Sequence, residues 1–417
     1  MNAPRAPEAL APRHGAPVGG EPLGIVYFGN EWFAENRTSS HHIARQLAHT
    51  ARVIYVDSPG MRAPSGSGRD LKRIVRKLVQ ACRRPRAVLP DLWHCTVPQL
   101  PWRRVPGIAR LNRWFGAWAV RRALRHVGIE QPVLWFVVPH PAFMLDAVPH
   151  AAAVYYCVDD YAAHPGVDAA AISACDAELT RRADHVFVAP PALVDGKRAI
   201  NPATSYSPHG VDTELFNRAS APQTELAPGA RGIDGPVIGY FGSIAPWTDI
   251  ELLGWLAKQR PQWRFLLVGH ASVDVAALRV SPNVILAGAQ PYESLPHWAA
   301  AFDVAIIPYR LSQQVRNANP LKLREYLATG KPVVSVATRE VEQFGDLLRI
   351  ADGRDEFLAA IEGALRDDTP EQAARRMASV REMSWEHRAR TALDIVRRVR
   401  ELRTAAAADS NATSKAD

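Results

Sequence analysis

Short apolar runs alternate with amphipathic stretches along nearly the whole chain, and that alternation restricts it to one class of fold. Gly24-Ile25-Val26-Tyr27-Phe28-Gly29 and Arg52-Val53-Ile54-Tyr55-Val56-Asp57 are too short for helices and rich in β-branched and aromatic residues, so they read as strands. A helix that Thr38 or Ser39 can cap separates them. Strands at 133–138, 153–158 and 185–189 continue the series. A second series opens at 236–243 and runs through 264–269, 284–288, 304–309 and 333–336. Such alternation builds parallel sheets covered by helices. With 417 residues the chain exceeds one ordinary domain, so two series imply two α/β domains, each with its own core. The expected division is a disordered leader at 1–20, a first domain at 21–218 and a Pro/Ala/Gly-rich linker at 219–235. A second domain at 236–384, a helix at 385–403 and a disordered tail at 404–417 follow. Ligands bind outside the carboxyl ends of parallel strands, which here means the cleft between the two sheets.

Within the second series, one segment carries chemistry: Asn319-Pro320-Leu321-Lys322-Leu323-Arg324-Glu325-Tyr326-Leu327-Ala328-Thr329-Gly330-Lys331-Pro332-Val333-Val334-Ser335. It reads as loop, short helix and buried strand. Pro320 suits the first helical position and Gly330 the left-handed residue past the helix end. Free amides at the helix start attract phosphate, and Lys322 adds a mobile positive charge. Glu325 lies on the same face at i+3, and an acceptor-only carboxylate suits the hydroxyls of a ribose. Phosphate beside ribose means a nucleotide. The competing reading is an ordinary αβ unit with a solvated Lys–Glu pair.

This segment, preceded by the strand Phe302-Asp303-Val304-Ala305-Ile306-Ile307-Pro308-Tyr309, resembles the donor-binding element of the GT-B glycosyltransferases. These enzymes have two Rossmann-like domains and transfer sugars from nucleotide-sugars. The likeness extends from about residue 24 to 400 and implies that the helix at 385–403 crosses back onto the first domain. It also implies a donor site with Asn319, Pro320, Leu321, Lys322 and Glu325 at its centre. Gly242 and Ser243, in Phe241-Gly242-Ser243, match the turn that faces the donor diphosphate. Many members carry a basic residue shortly after that turn, but here the chain reads Ile244-Ala245-Pro246-Trp247, so neutralisation falls on Lys322 and helix amides. His270 ends the next strand as a pocket or loop residue. Tyr292 is a candidate for stacking under the base, or for simple packing. The donor is a UDP-, GDP- or dTDP-sugar. No cofactor is implied, and no metal, because Lys322 and the helix dipole can stabilise the leaving diphosphate.

Retaining members often carry a glutamate eight positions before the ribose carboxylate, and counting back from Glu325 gives Asn317 instead. That departure argues for inversion, which needs a general base on the acceptor side. Tyr155-Tyr156-Cys157-Val158-Asp159-Asp160-Tyr161 offers two carboxylates at the end of an apolar strand. It resembles the strand end of membrane-associated bacterial glucuronosyltransferases of exopolysaccharide assembly, and that placement selects Asp159 as base. Helix capping by Asp159 or Asp160 is the alternative. Glu31, Trp32, His41 and His42 follow the first strand and are expected to line the acceptor site. The two histidines have no Cys or further His cluster at metal-ligand spacing. His209-Gly210-Val211-Asp212 reads as an interdomain turn that touches the donor.

Charge is uneven. From Met61 to His126 sixteen Lys/Arg face two acids, giving +14 in a chain of net +8, so the remainder is −6. Leu71, Ile74, Val75, Leu78 and Val79 follow helical spacing among basic residues, and Leu111, Trp114, Phe115 and Trp118 repeat the pattern between arginines. Basic amphipathic helices with tryptophan lie on anionic membrane surfaces; packed helices with a solvated basic face are the alternative. No nucleic-acid-binding signature accompanies the charge. No apolar run approaches the roughly 20 residues of a membrane span. Cys82, Cys95, Cys157 and Cys175 lack disulfide-framework spacing and read as reduced thiols. The expectation is a cytosolic enzyme, peripheral on the inner face of the plasma membrane, acting on a lipid-linked or envelope glycan. A nucleotide-sugar epimerase on the same fold, or an inactive membrane- or nucleic-acid-binding module, are the competing classes.

Overall fold

The computed structural model describes residues 22–34, 36–57, 84–97 and 107–413. The leader and the Leu71–Val79 pattern therefore lie outside the described residues. Eight strands form the first sheet: β1 (Leu23–Gly29), β2 (Ala51–Asp57), β3 (Arg86–Leu89), β4 (Leu92–Thr96), β5 (Val133–Phe136), β6 (Ala152–Cys157), β7 (His185–Val188) and β8 (Thr204–Tyr206). Their order is β3-β4-β2-β1-β5-β6-β7-β8, parallel throughout except that β3 runs against β4. The second sheet holds β9 (Val237–Phe241), β10 (Arg264–Val268), β11 (Val284–Gly288), β12 (Val304–Ile307), β13 (Val333–Val336) and β14 (Arg349–Ala351). It is wholly parallel in the order β11-β10-β9-β12-β13-β14. The β3–β4 hairpin, β8 and β14 are additions to the expected series.

Both faces of the first sheet are covered, as the continuous apolar runs require. Along β1, Ile25 and Tyr27 enter one core layer while Val26 and Phe28 enter the other. Strand order reverses beside β1 and beside β9, so the carboxyl ends of these two strands open the crevice where a ligand can enter.

The chain passes between the sheets where Val211 N–H donates to the Met383 carbonyl at 2.8 Å and pairs with Ser384. The helix Trp385–Thr413 then returns to the first domain and buries Trp385, Ala389, Leu393 and Val396 in its core. Residues 219–235, expected as the linker, instead seat Ala219, Ala227 and Ala230 in the second core. Their small side chains pack closely, which composition alone does not reveal. The crossing helix also continues past residue 403, because Ala405-Ala406-Ala407-Ala408 is strongly helix-forming.

Candidate functional site

A cavity of about 680 Å³ lies between the carboxyl ends of the two sheets, within the range of small-molecule sites. Its second-domain wall is the helix Leu321–Ala328 with the loop before it. Pro320 precedes the first helical residue rather than occupying it, and Gly330, at φ 72°, ends the helix as expected. Lys322 and Glu325 both line the cavity, so the i, i+3 spacing does place them on one face.

Lys322 is held from two sides. Its Nζ donates to Tyr309 Oη at 2.6 Å and to Tyr240 Oη at 3.0 Å, and lies 4.8 and 4.5 Å from the two ring centres. Burial works against its charge, but the two tyrosines hold the ammonium above the usual lysine value. Beneath it runs the turn after β9. Gly242 has φ 122°, and a Cβ there would come within 2.9 Å of Lys322 Nζ, so glycine is required both by the backbone and by the lysine. A Cβ at Gly269 would in turn lie 2.0 Å from the Gly242 carbonyl oxygen. Ser243 also lines the cavity. The result is a backbone cradle under a buried cation, suited to a phosphate.

Glu325 accepts a hydrogen bond from Tyr292 Oη at 3.2 Å. Burial raises its carboxyl to about 7, against the Tyr292 hydroxyl and Lys322, which lower it, while Asp212 adds to the rise. A carboxyl poised there accepts hydroxyl donors when ionised. Tyr292 turns its hydroxyl, not an open ring face, to the helix. Its ring meets His42 at 4.9 Å and Phe216 edge-on at 5.6 Å, with the Arg37 guanidinium 5.3 Å above it.

Behind the helix, Arg324 and Glu340 form an ion pair with side-chain exposures of 2% and 0%. Arg324 also donates to Asn319 Oδ1 at 2.7 Å, while Asn319 Nδ2 donates across the cleft to the Ala189 carbonyl at 2.9 Å. Asn319 therefore ties the loop before the helix to the first domain.

The first-domain wall holds Asp159, just past β6. Its Oδ1 accepts the Asp160 N–H at 2.8 Å, and its Oδ2 lies 2.8 Å from His164 Nε2. Gln314 reaches the same imidazole from the second domain at 3.3 Å. Asp159 and His164 line the cavity. Asp160 stands at the N-cap position of the turn Tyr161–Ala163 without capping it. Its Oδ2 instead accepts from Asn317 Nδ2 across the cleft at 3.0 Å. Asn317, eight positions before Glu325, is thus partnered with a first-domain carboxylate.

The residues expected on the acceptor side are placed elsewhere. Glu31 is exposed, and none of Glu31, Trp32, His41 and His42 is among the cavity-lining residues. His41 Nδ1 accepts the Thr38 N–H at 3.0 Å and so closes a capping box on the helix Ser39–Leu47. Its ring also lies 5.5 Å from Trp32, which is buried and donates its backbone N–H to Asp57 at 2.8 Å. His42 stacks flat on Trp385 at 4.8 Å, fastening the crossing helix. Burial holds both histidines below the usual imidazole range, hence neutral near pH 7. From the same segment Asn30, Ala34, Asn36, Arg37, Thr38 and Ser39 line the cavity. The signal for Asn36, Arg37 and Thr38 was a polar run leading into the helix Ser39–Leu47, which the neighbouring aromatic and histidine residues outweighed.

His270 is exposed and outside the cavity, with its carbonyl accepting from Ile244 N–H at 2.9 Å. His209 does line it; burial, with Arg324 and Arg388, pushes its imidazole down to about 3. Among the described residues no group of three His, Cys, Asp or Glu could hold a metal ion, and no helix is long and apolar enough to cross a membrane.

Comparison with known proteins accords with this geometry. Residues 235–367 match the family described as Glycosyl transferases group 1. A stretch of 131 residues is 38% identical to the putative teichuronic acid biosynthesis glycosyltransferase TuaH of Bacillus subtilis (strain 168), covering 30% of this chain and 32% of that protein. The match therefore spans about a third of the relative's length. Among solved structures, sucrose-phosphate synthase from Thermosynechococcus elongatus superposes with TM-score 0.66 at 15% identity, covering 90% of this chain and 99% of that one. Anabaena HepE, solved in complex with UDP and glucose, gives TM-score 0.62 at 15% identity with the same coverage. The chain has the GT-B glycosyltransferase fold, and within it residues 235–367 are similar to the group 1 glycosyltransferases.

Proposed function

We propose that the protein moves a sugar from a UDP-, GDP- or dTDP-sugar to a lipid-linked or cell-envelope polysaccharide, inverting the anomeric centre. The observation that carries this reading is one cavity with Lys322 and Glu325 on one wall and Asp159 on the other. Glu325 receives the ribose hydroxyls, and Lys322 with the Gly242 turn receives the diphosphate. Asp159, oriented by His164, takes the proton from the acceptor hydroxyl as that oxygen attacks the anomeric carbon. The bond to the diphosphate breaks on the opposite face, and its electron pair leaves on phosphate oxygen. Lys322 and the helix amides stabilise that charge without a metal ion. The UDP and glucose in HepE support a UDP-sugar donor, and the pathway in TuaH's name supports an envelope acceptor.

A cytosolic site on an anionic membrane surface is part of the same reading. Leu111 and Trp114, on the helix Ile108–Val127, are 41% and 61% exposed and flanked by Arg110 and Arg113. The face of that helix turned inward carries Gly116, Ala119, Val120, Ala123 and Leu124 instead. Anionic vesicles are expected to pellet the protein, less so after Leu111→Ala with Trp114→Ala. Equal pelleting of both proteins, or of neither, overturns this part.

The function is tested by screening UDP-, GDP- and dTDP-sugars for hydrolysis and protection against thermal unfolding, with NMR of the product anomer. An inverted product with an added glycan acceptor supports transfer. Epimer formation without acceptor, or no nucleotide effect, overturns it.

A further inference from the structure

We propose that Arg37, reaching across from the first domain, is the second cation of the diphosphate site, so that a nucleoside diphosphate is clamped between the two domains. This rests on the nucleotide-sugar reading above and adds a residue that neither the donor helix nor the group 1 domain contains.

The argument begins with a charge deficit. The turn after β9 continues as Ile244-Ala245-Pro246-Trp247 and supplies no cation. Among the described residues lining the cavity, Lys and Arg are represented by Lys322 and Arg37 alone, and Asp159 and Glu325 bring negative charge of their own. A nucleotide-sugar diphosphate carries two negative charges at neutral pH. Lys322 offsets one of them and is already fixed between Tyr240 and Tyr309.

Position points the same way. Asn36 Nδ2 donates to Ser243 Oγ at 2.7 Å, so the backbone just before Arg37 is fastened to the turn over which the Lys322 head lies. The Arg37 guanidinium sits 5.3 Å over the Tyr292 ring, and the hydroxyl of that ring contacts Glu325. Arg37 thereby lines the cavity beside the ring that reaches Glu325, one residue along from the tie to the turn after β9. A planar guanidinium is suited to two phosphate oxygens at once.

Its present partner is replaceable. Arg37 pairs with Glu293, whose side chain is 60% exposed, and such rim pairs contribute little. Positive charge in this corner is otherwise under-compensated: after burial itself, Arg37 is the next cause holding Arg45 down to about 10 and His42 below its usual range. Arrival of a diphosphate would exchange Glu293 for phosphate oxygens and release the carboxylate to water.

The test measures, by calorimetry, the tightest-binding of UDP, GDP and dTDP, and its parent nucleoside by displacement. Arg37→Gln is expected to weaken the diphosphate about tenfold, leave the nucleoside unchanged and flatten the salt dependence. Arg37→Lys should restore part of the loss, and Glu293→Gln should tighten diphosphate binding two- to threefold. Equal losses for diphosphate and nucleoside would show that Arg37 merely supports Tyr292, and this overturns the proposal. So does wild-type affinity in Arg37→Gln while Lys322→Ala binds weakly, an outcome that leaves the donor site standing. If the unaltered protein binds none of the three diphosphates, the nucleotide reading fails and the clamp with it.

Discussion

On the second-domain wall of the cleft, Lys322 and Glu325 stand three residues apart on one helix. On the first-domain wall, Arg37, Asp159 and His164 come from two loops more than a hundred residues apart, and those loops are held across the cleft by Asn36 to Ser243, Asp160 to Asn317 and His164 to Gln314. The first arrangement is local, set by one helix whatever the domains do. The second depends on the domains meeting, because each of its loops is fastened across the cleft.

The largest effect separating the walls is expected at Asp159. Asp159→Asn should lower transfer by about 10²–10⁴-fold, the usual contribution of a general base, with nucleotide affinity nearly unchanged. Steady-state turnover alongside calorimetry makes the measurement. Full turnover in Asp159→Asn with loss in Asp160→Asn would move the base by one residue, and full turnover in both would remove it from this wall.

Lys322→Ala and Glu325→Ala should do the reverse to binding. Each removes a charged hydrogen bond worth about 1.5–3 kcal/mol, or roughly ten- to a hundredfold in nucleotide affinity. Thermal unfolding of the free variants checks that the fold survives. Wild-type affinity in both would return the pair to an ordinary buried lysine and glutamate.

The carboxyl of Glu325 gives the second-domain wall a pH dependence of its own. Its burial-raised value of about 7 means that the free site is partly protonated at neutral pH. Ribose hydroxyls donate to the ionised form, so binding should release a proton and weaken by about tenfold from pH 8 to pH 6. In the free protein the sign is opposite. Folded Glu325 holds its proton more tightly than the unfolded side chain near 4.5, so its contribution to stability falls as pH rises from about 4.5 through about 7. Glu325→Gln should flatten both profiles, and calorimetry in buffers of different ionisation enthalpy counts the proton.

These differences also explain what the sequence reveals. Helix start, lysine, glutamate and terminating glycine lie within a dozen residues, and elementary periodicity places them on one face. Strand ends are equally local, so Asp159 and Gly242 were legible as cleft residues. What sets Asn36 against Ser243, or Asp160 against Asn317, is the docking of two domains, which no local spacing records. Tyr292 shows the limit within one domain: an aromatic after β11 suggests a pocket or packing role, and it does line the cavity, but its neighbours His42 and Arg37 arrive from the other domain.

The smallest expected effect tests the residue that sequence and structure read most differently. After strand β1 a histidine pair invites an acceptor-side role, yet His41 is buried and accepts the Thr38 N–H as the third residue of a capping box. Glutamine commonly fills that position, because its carbonyl can accept the same bond. His41→Ala should therefore cost about 1 kcal/mol of stability, the size of a lost cap, with turnover per folded molecule unchanged. His41→Gln should recover much of that loss. An imidazole that handled the acceptor would give the opposite pattern, since glutamine restores a cap but cannot exchange a proton near neutral pH. Denaturant unfolding measured beside turnover distinguishes the two, and a stable but inactive His41→Gln would put the acceptor back on the loop after β1.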